Sequence, residues 1–276
     1  AKAWDDLNLK HSAVDRAQYT ANDRESTGKV LLADARGLEP PATKSAPRPA
    51  RPTDALFFTQ TGGLFFLPRG ESVPVKVDRD DSAAVSRSFE ASRKPKTLVV
   101  VADRKASATA LIRAVGPFAK KWKTTSLAVI GESEMEPLVK GVKGAVLPPP
   151  IRQLNVKFDA DTEYVLPGPR GDANVGVVVQ PDGFVLAAVG QVMPGADGGP
   201  SIPLRDGQPD LAKLAATLTR IKIEFPYERR IVLAPAEGIT VGSMVDLIPT
   251  VTSGQEHTLF DDVVLAARAR LVPKAA

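Results

Sequence analysis

The 276-residue chain contains no cysteine. That removes disulfide frameworks, thiolate zinc sites, iron–sulfur clusters and a cysteine nucleophile. It has only two histidines, His11 and His257, far apart in sequence, so imidazole-based metal or acid–base chemistry has little to work with. Aromatic residues make up 5% of the chain, too few for base-stacking platforms. An excess of one charge is also missing. The 36 Lys and Arg against 32 Asp and Glu leave +4, spread along the chain rather than gathered on the basic face that nucleic acid requires. No run reaches the ~18 apolar residues of a membrane helix. The opening AKAWDDLNLK lacks the apolar core of a signal peptide. The expectation is a soluble protein, or the soluble part of something larger.

What is present is a globular composition, 43% hydrophobic and 25% charged, at a length that suits about two domains. Residues 1–54 read as an extension that ends in a linker, since EPPATKSAPRPARPT carries five prolines, which stiffen and extend a chain. Beyond it, strands and helices alternate. Leu56–Thr59 and Leu64–Leu67 flank a Gly62-Gly63 turn and predict a hairpin. Val73 to Val75 reads as a short strand, residues 80–94 as a helix, and Lys96 to Ala102 as a central strand rich in β-branched residues. Leu111, Ile112, Val115, Phe118 and Trp122 fall at helical spacing. Ser126 to Gly131 reads as a further strand. Pro148-Pro149-Pro150 begins a second break, so residues 146–173 read as a linker.

The pattern then recurs. Val175–Val179 and Phe184–Ala187 flank Pro181-Asp182-Gly183; Ile202-Pro203-Leu204 is short; Asp210–Ile223 and Ile239–Thr252 carry apolar stripes, with Pro249 expected to bend or shorten the latter; Arg230–Ala234 and Asp262–Ala267 read as strands. Landmarks pair across the halves with a growing offset. Gly63 and Gly183 are 120 residues apart, Val73 and Ile202 are 129 apart, Leu111 and Met244 and likewise Val115 and Ile248 are 133 apart, and Val129 and Leu265 are 136 apart. Insertions in the loops of the second copy explain the growth. The predicted fold is α+β, as two tandem small α/β sandwich modules, each a mixed sheet with two helices packed on one face, at 55–145 and 174–272.

A search for chemistry finds none. Gly242-Ser243-Met244 lacks the second glycine of a nucleophile elbow. Gly168–Gly171 and Gly195–Gly199 lack phosphate-loop spacing. Asp80-Asp81 and Asp261-Asp262 read as solvated turns or caps, the surroundings of Asp197 offer too few oxygens for calcium, and Arg170-Gly171-Asp172 reads as turn material. Arg229-Arg230 and Lys120-Lys121 read as solvated faces, while Trp122 and Phe118 read as core. No catalytic residue, cofactor or metal is expected, and the protein is not expected to be an enzyme.

The second half, with its Asp-Gly hairpin, PYERRIVLAPAEGITVGSMVDLIPTV and closing DVVLAA, resembles the periplasmic domain of the ExbD/TolR family. Val232-Leu233-Ala234 stands where that family has a strand ending in Ala-Asp, with Pro235-Ala236 in place of the Asp. Ile239-Thr240-Val241-Gly242 stands for its Val-x-Tyr-Gly step, with Val241 for the Tyr. The first half keeps the Ala-Asp as Ala102-Asp103 and has lost the Tyr-Gly. The family has one such module where this chain shows two, and the family's membrane helix with its proton-responsive Asp has no counterpart here. The resemblance implies a periplasmic, non-enzymatic component of a proton-driven envelope motor or transport complex, tethered to the inner membrane by a segment outside this chain. Implied partners are motor subunits of the ExbB/TolQ type, a TonB-like or other envelope protein, or peptidoglycan, with no nucleic acid. A pseudo-dimer within one chain, or a homodimer, would follow. The alternative class is a soluble binding or scaffold domain unrelated to energy transduction. Open sheet edges accept partner strands through backbone hydrogen bonds, and the expected edge is the last strand, Val263, Val264, Leu265, Ala266 and Ala267.

Overall fold

The structure, a computed structural model, describes residues 54–68, 73–77, 83, 86, 97–130, 139–140, 153–166, 173–193, 195, 198–253 and 258–272. The extension before Asp54, His11, His257, Asp80-Asp81, Pro148–Pro150, Arg170–Asp172 and Asp197 lie outside them, and of the helix expected at 80–94 only Ala83 and Ser86 are described, both helical. Among the described residues the fold is α+β, with three helices and two mixed sheets.

The first sheet is built from β1 (Asp54–Phe58), β2 (Leu64–Leu67), β3 (Val75–Lys76), β4 (Thr97–Asp103), β5 (Thr124–Ile130) and β6 (Gln153–Asn155), in the order β3-β2-β1-β4-β5-β6. β1 and β2 form the predicted hairpin, while β4 runs parallel to β1 and β5 parallel to β4. A strand flanked on both sides and covered on both faces needs apolar residues of either parity. β4 reads TLVVVAD and meets that demand, with Leu98 through Asp103 all buried. Ala55, Phe57, Val99, Val101 and Ala128 cluster on one face, and Leu56, Phe58, Leu98, Val100 and Leu127 are buried on the other. Asp54, 2% exposed, accepts a 3.0 Å hydrogen bond from the Trp122 indole N–H. Trp122 and Phe118 are buried, as expected of core residues.

The second sheet comprises β7 (Lys157–Leu166), β8 (Val175–Gln180), β9 (Gly183–Ala188), β10 (Gln191–Val192), β12 (Arg230–Pro235) and β13 (Asp262–Leu271), in the order β10-β9-β8-β12-β13-β7, with β11 (Ile202–Pro203) also on β9. The helices are α1 (Ala108–Ala119), α2 (Leu211–Glu224) and α3 (Val241–Thr252). Asp210 caps α2 by accepting from the Lys213 N–H at 2.8 Å, and Leu214, Leu218 and Ile221 form its buried stripe. Pro249 does not break α3. The helix ends three residues later, where the Ser253 N–H donates to the Pro249 carbonyl.

Both sheets repeat one frame: an antiparallel hairpin, a strand parallel to its first arm, then another parallel strand. α1 and α3 have twelve residues each and begin 133 residues apart. Their caps correspond too: Ser107 accepts from the Ala110 N–H at 3.3 Å, and Thr240 from the Ser243 N–H at 3.2 Å. Leu111, Val115, Met244 and Ile248 are all buried. The register gives offsets of its own. Phe57 pairs with Val101, which pairs with Ala128; Val177 pairs with Leu233, which pairs with Leu265.

Two expectations need correction. Residues 146–173 are not simply a linker, because they hold β6 and β7. The Asp159, Asp161 and Glu163 of β7 hide a strand that exists by pairing with β13 rather than by propensity. The compact units also differ from the expected modules. Ser107–Pro117 cluster with Val156 onward, while the described residues of 54–106 and 118–155 form the other unit. Within the first of these units the Ala108 N–H donates to the Ile239 carbonyl at 3.0 Å. Gly116 leaves no room for a Cβ, which would sit 2.6 Å from the Ala160 Cβ.

The β9–β10 turn is Val189-Gly190, with φ of 55° and 70°. Two positive φ values suit Asn-Gly, and a β-branched residue there is strained. Val189→Asn should therefore raise stability by about 1 kcal/mol, read as a shift of the urea midpoint at constant slope. An unchanged midpoint would show that the turn carries no strain.

Candidate functional site

Ten strand residues span roughly 30 Å. β7 starts beside Val264 in parallel register with β13, so a straight strand would carry Leu166 far past the sheet. Instead the Leu166 side chain lies against Gly176 at the start of β8, where a Cβ would meet it at 2.4 Å. The cause is a bulge. The register slips between Ala266 and Arg268, so that Ala160, Asp161 and Thr162 stand opposite Ala267. Asp159 fixes the bulge, accepting from the N–H groups of Asp161 and Thr162 and from the Tyr164 hydroxyl at 3.0–3.2 Å. Burial alone would raise its carboxyl, but these donors outweigh burial and hold it below its usual value. Burial and the bond to Asp159 push the Tyr164 phenol up to about 12. Past the bulge the β7–β13 ribbon crosses the sheet, and Tyr164 and Ala269 pack on Val232, Ala234, Val264 and Ala266.

Between the ribbon and the leading ends of β8, β12 and β13 lies a cleft of about 390 Å³. Its apolar wall includes Tyr164, Leu166 and Val175, and its polar wall includes Asn174, Arg229 and Arg230, with Tyr227 at 94% exposure beside them. Arg229 grips Asp261 through Nε and Nη2, at 2.6 Å for Nη2. Arg230 Nε reaches Asp262 at 3.0 Å, and Lys157 reaches the same carboxylate at 2.6 Å. Asn174 has a φ of 41°, and its Nδ2 is buried with no hydrogen-bond partner among the described residues, a condition that costs about 1–3 kcal/mol.

Burial pushes the Asp262 carboxyl up, but the bonds from Lys157 and Arg230 prevail and hold it low. The bond from Arg229 lowers Asp261. A depressed carboxyl stabilises above its unfolded pKa of ~3.9 and loses that contribution as pH falls through the folded value. Both basic partners of Asp262 are more than half exposed, so screening limits the effect. Asp262→Asn should cost of order 1 kcal/mol at pH 7 and less at pH 3, where the carboxylate begins to be protonated. Urea melts at the two pH values check this, and an equal loss at both would mean that the side chain acts through packing instead.

The partner-binding strand expected from the sequence is corrected here. Val263, Val264, Leu265, Ala266 and Ala267 are buried, and β13 is paired with β12 on one side and β7 on the other. Its backbone groups are spent inside the chain, so it is not an edge. Arg229-Arg230 and Asp261-Asp262 are not merely solvated faces, since they pair with each other 32 residues apart. Ser243 sits in the first turn of α3, beside the Thr240 hydroxyl at 3.1 Å. Among the described residues no group of three or more His, Cys, Asp or Glu could hold a metal ion, and no helix is long and apolar enough to cross a membrane. No protein-family model, curated protein or solved structure matches the chain.

Proposed function

We propose that the chain is a non-enzymatic, two-module envelope component of the ExbD/TolR kind. It couples a proton-driven inner-membrane motor to an envelope partner or to the cell wall. The observation that supports this reading is the repeated frame, in which hairpin, parallel strand, capped twelve-residue helix and parallel strand recur with α1 and α3 133 residues apart. A duplicated module holds two binding surfaces at high effective concentration, which does the work of a dimer within one chain. The reading is tested by immobilising the chain and passing solubilised bacterial envelope over it. Retention of an ExbB/TolQ-type or TonB-like protein, or co-sedimentation of the chain with insoluble peptidoglycan, is the expected result. Retention of none of these overturns the reading.

A further inference from the structure

We propose that the cleft between the β7–β13 ribbon and the leading ends of β8 and β12 binds an organic carboxylate on an apolar or aromatic body. The inference concerns this cleft alone and does not depend on the envelope reading. Three observations converge on it. The first is size and lining: about 390 Å³ bounded by Tyr164, Leu166 and Val175 suits a small ligand, since such sites are mostly apolar with a few placed polar groups.

The second is the hydrogen-bond inventory. The Arg229–Asp261 bond uses Nε and Nη2, and the Arg230–Asp262 bond uses Nε. Asn174 Nδ2 is buried without a hydrogen-bond partner among the described residues, and Arg229 and Arg230, 74% and 57% exposed, carry Nη donors beyond those spent on the aspartates. Glu228 Oε1, the neighbouring acceptor, is already taken by the Arg230 N–H. The unspent functions on the polar wall are thus mainly donors, and planar guanidinium edges match a carboxylate. Asp261, Asp262 and the lining Glu228 balance the charges of Arg229, Arg230 and Lys157. That favours one carboxylate joined to an apolar body over a small, highly charged anion, whose affinity would rest on net positive field.

The third is the backbone. Asn174 is held at positive φ, and the carbonyl of Ala173 before it accepts a 2.8 Å bond from the N–H of Val189, itself at positive φ. That bond fixes the peptide leading into Asn174, whose side-chain Nδ2 is buried without a hydrogen-bond partner among the described residues. A buried donor left unsatisfied in a fixed backbone setting points to a ligand that completes the site.

The carboxylate could end a peptide or belong to a free small acid, and the test separates these sources. The ¹⁵N-labelled chain is titrated by NMR with acetyl-alanyl-phenylalanine and with phenylpropionate, each against its amide. The expected result is saturable shifts at Asn174, Val175, Tyr227 and Arg230 with a Kd in the millimolar range or tighter, weakened at least fivefold in the amide. Tighter binding of the dipeptide identifies a peptide C-terminus, and equal binding identifies a free acid. Asn174→Gly keeps the backbone free to hold positive φ while deleting the amide, and should weaken binding at least threefold. Arg229→Gln should do the same independently. Equal binding of acid and amide, no saturable shift up to about 20 mM, or full affinity in both variants overturns the proposal.

Discussion

Replacing Leu111 or Val245 by aspartate should abolish cooperative folding of the compact unit that holds the second sheet. Leu111 on α1 and Val245 on α3 are 1% and 4% exposed. Burying an unpaired charge costs several kcal/mol, against a total stability of ~5–15 kcal/mol. The location of the damage separates two descriptions of the chain. By sequence order Leu111 belongs to the first half, yet 107–117 cluster with 156 onward. Leu111→Asp should therefore strip amide-exchange protection from β8 and β12, as Val245→Asp does. Loss confined to β1, β4 and β5 would return α1 to the first sheet alone, and melts like the wild type would mean that the helix faces are misassigned.

The elements that were legible in the sequence are those whose apolar residues repeat with one period. The stripe Leu111, Val115 and Phe118, the stripe Leu214, Leu218 and Ile221, and the unbroken run of β4 all became buried elements. The 133-residue spacing of α1 and α3 was legible because helix length and cap position tolerate no insertion, whereas loops do. The fold class followed from that order. β7 escaped because three of its first seven residues are acidic and its stability lies in a partner more than 100 residues away. Without β7, β13 looked like an edge. The error about the binding strand and the error about the linker are thus one error.

The cleft was illegible for a related reason. Tyr164, Asn174, Arg229 and Asp262 come from four separate stretches, and only the bulge at Ala160–Thr162 brings Tyr164 back over the sheet. One signal was available. Two arginines head β12 and two aspartates head β13, and neighbouring parallel strands place such doublets side by side. Arg229 and Asp261, and Arg230 and Asp262, could have been paired once the two strands were known to be adjacent. The buried amide of Asn174 and the strain at Val189 left no such trace, because each depends on a φ value that composition does not encode.

Gly183→Ala should destabilise the same unit by about 3 kcal/mol or more, while Gly238→Ala should cost only about 1 kcal/mol. Both glycines have positive φ, 148° and 84° respectively, so both substitutions meet backbone strain. They differ in surroundings. A Cβ on Gly238 meets nothing within 4 Å, whereas one on Gly183 would sit 2.3 Å from the Ile202 carbonyl oxygen and 2.9 Å from the Pro203 Cα. Those atoms belong to β11, which pairs with Gly183 and Phe184, so relief requires β11 to leave the sheet rather than a side chain to swing aside. The difference between the two variants reports the clash together with the less tolerated φ of Gly183, since 148° lies far outside the left-handed well that 84° adjoins. Urea denaturation of both measures it, and amide exchange at Ile202 and Leu204 shows where it falls. Equal losses would mean that β11 yields freely. The second sheet would then end at β9 and β10, and the β9 edge beside Gly183 would be open to solvent.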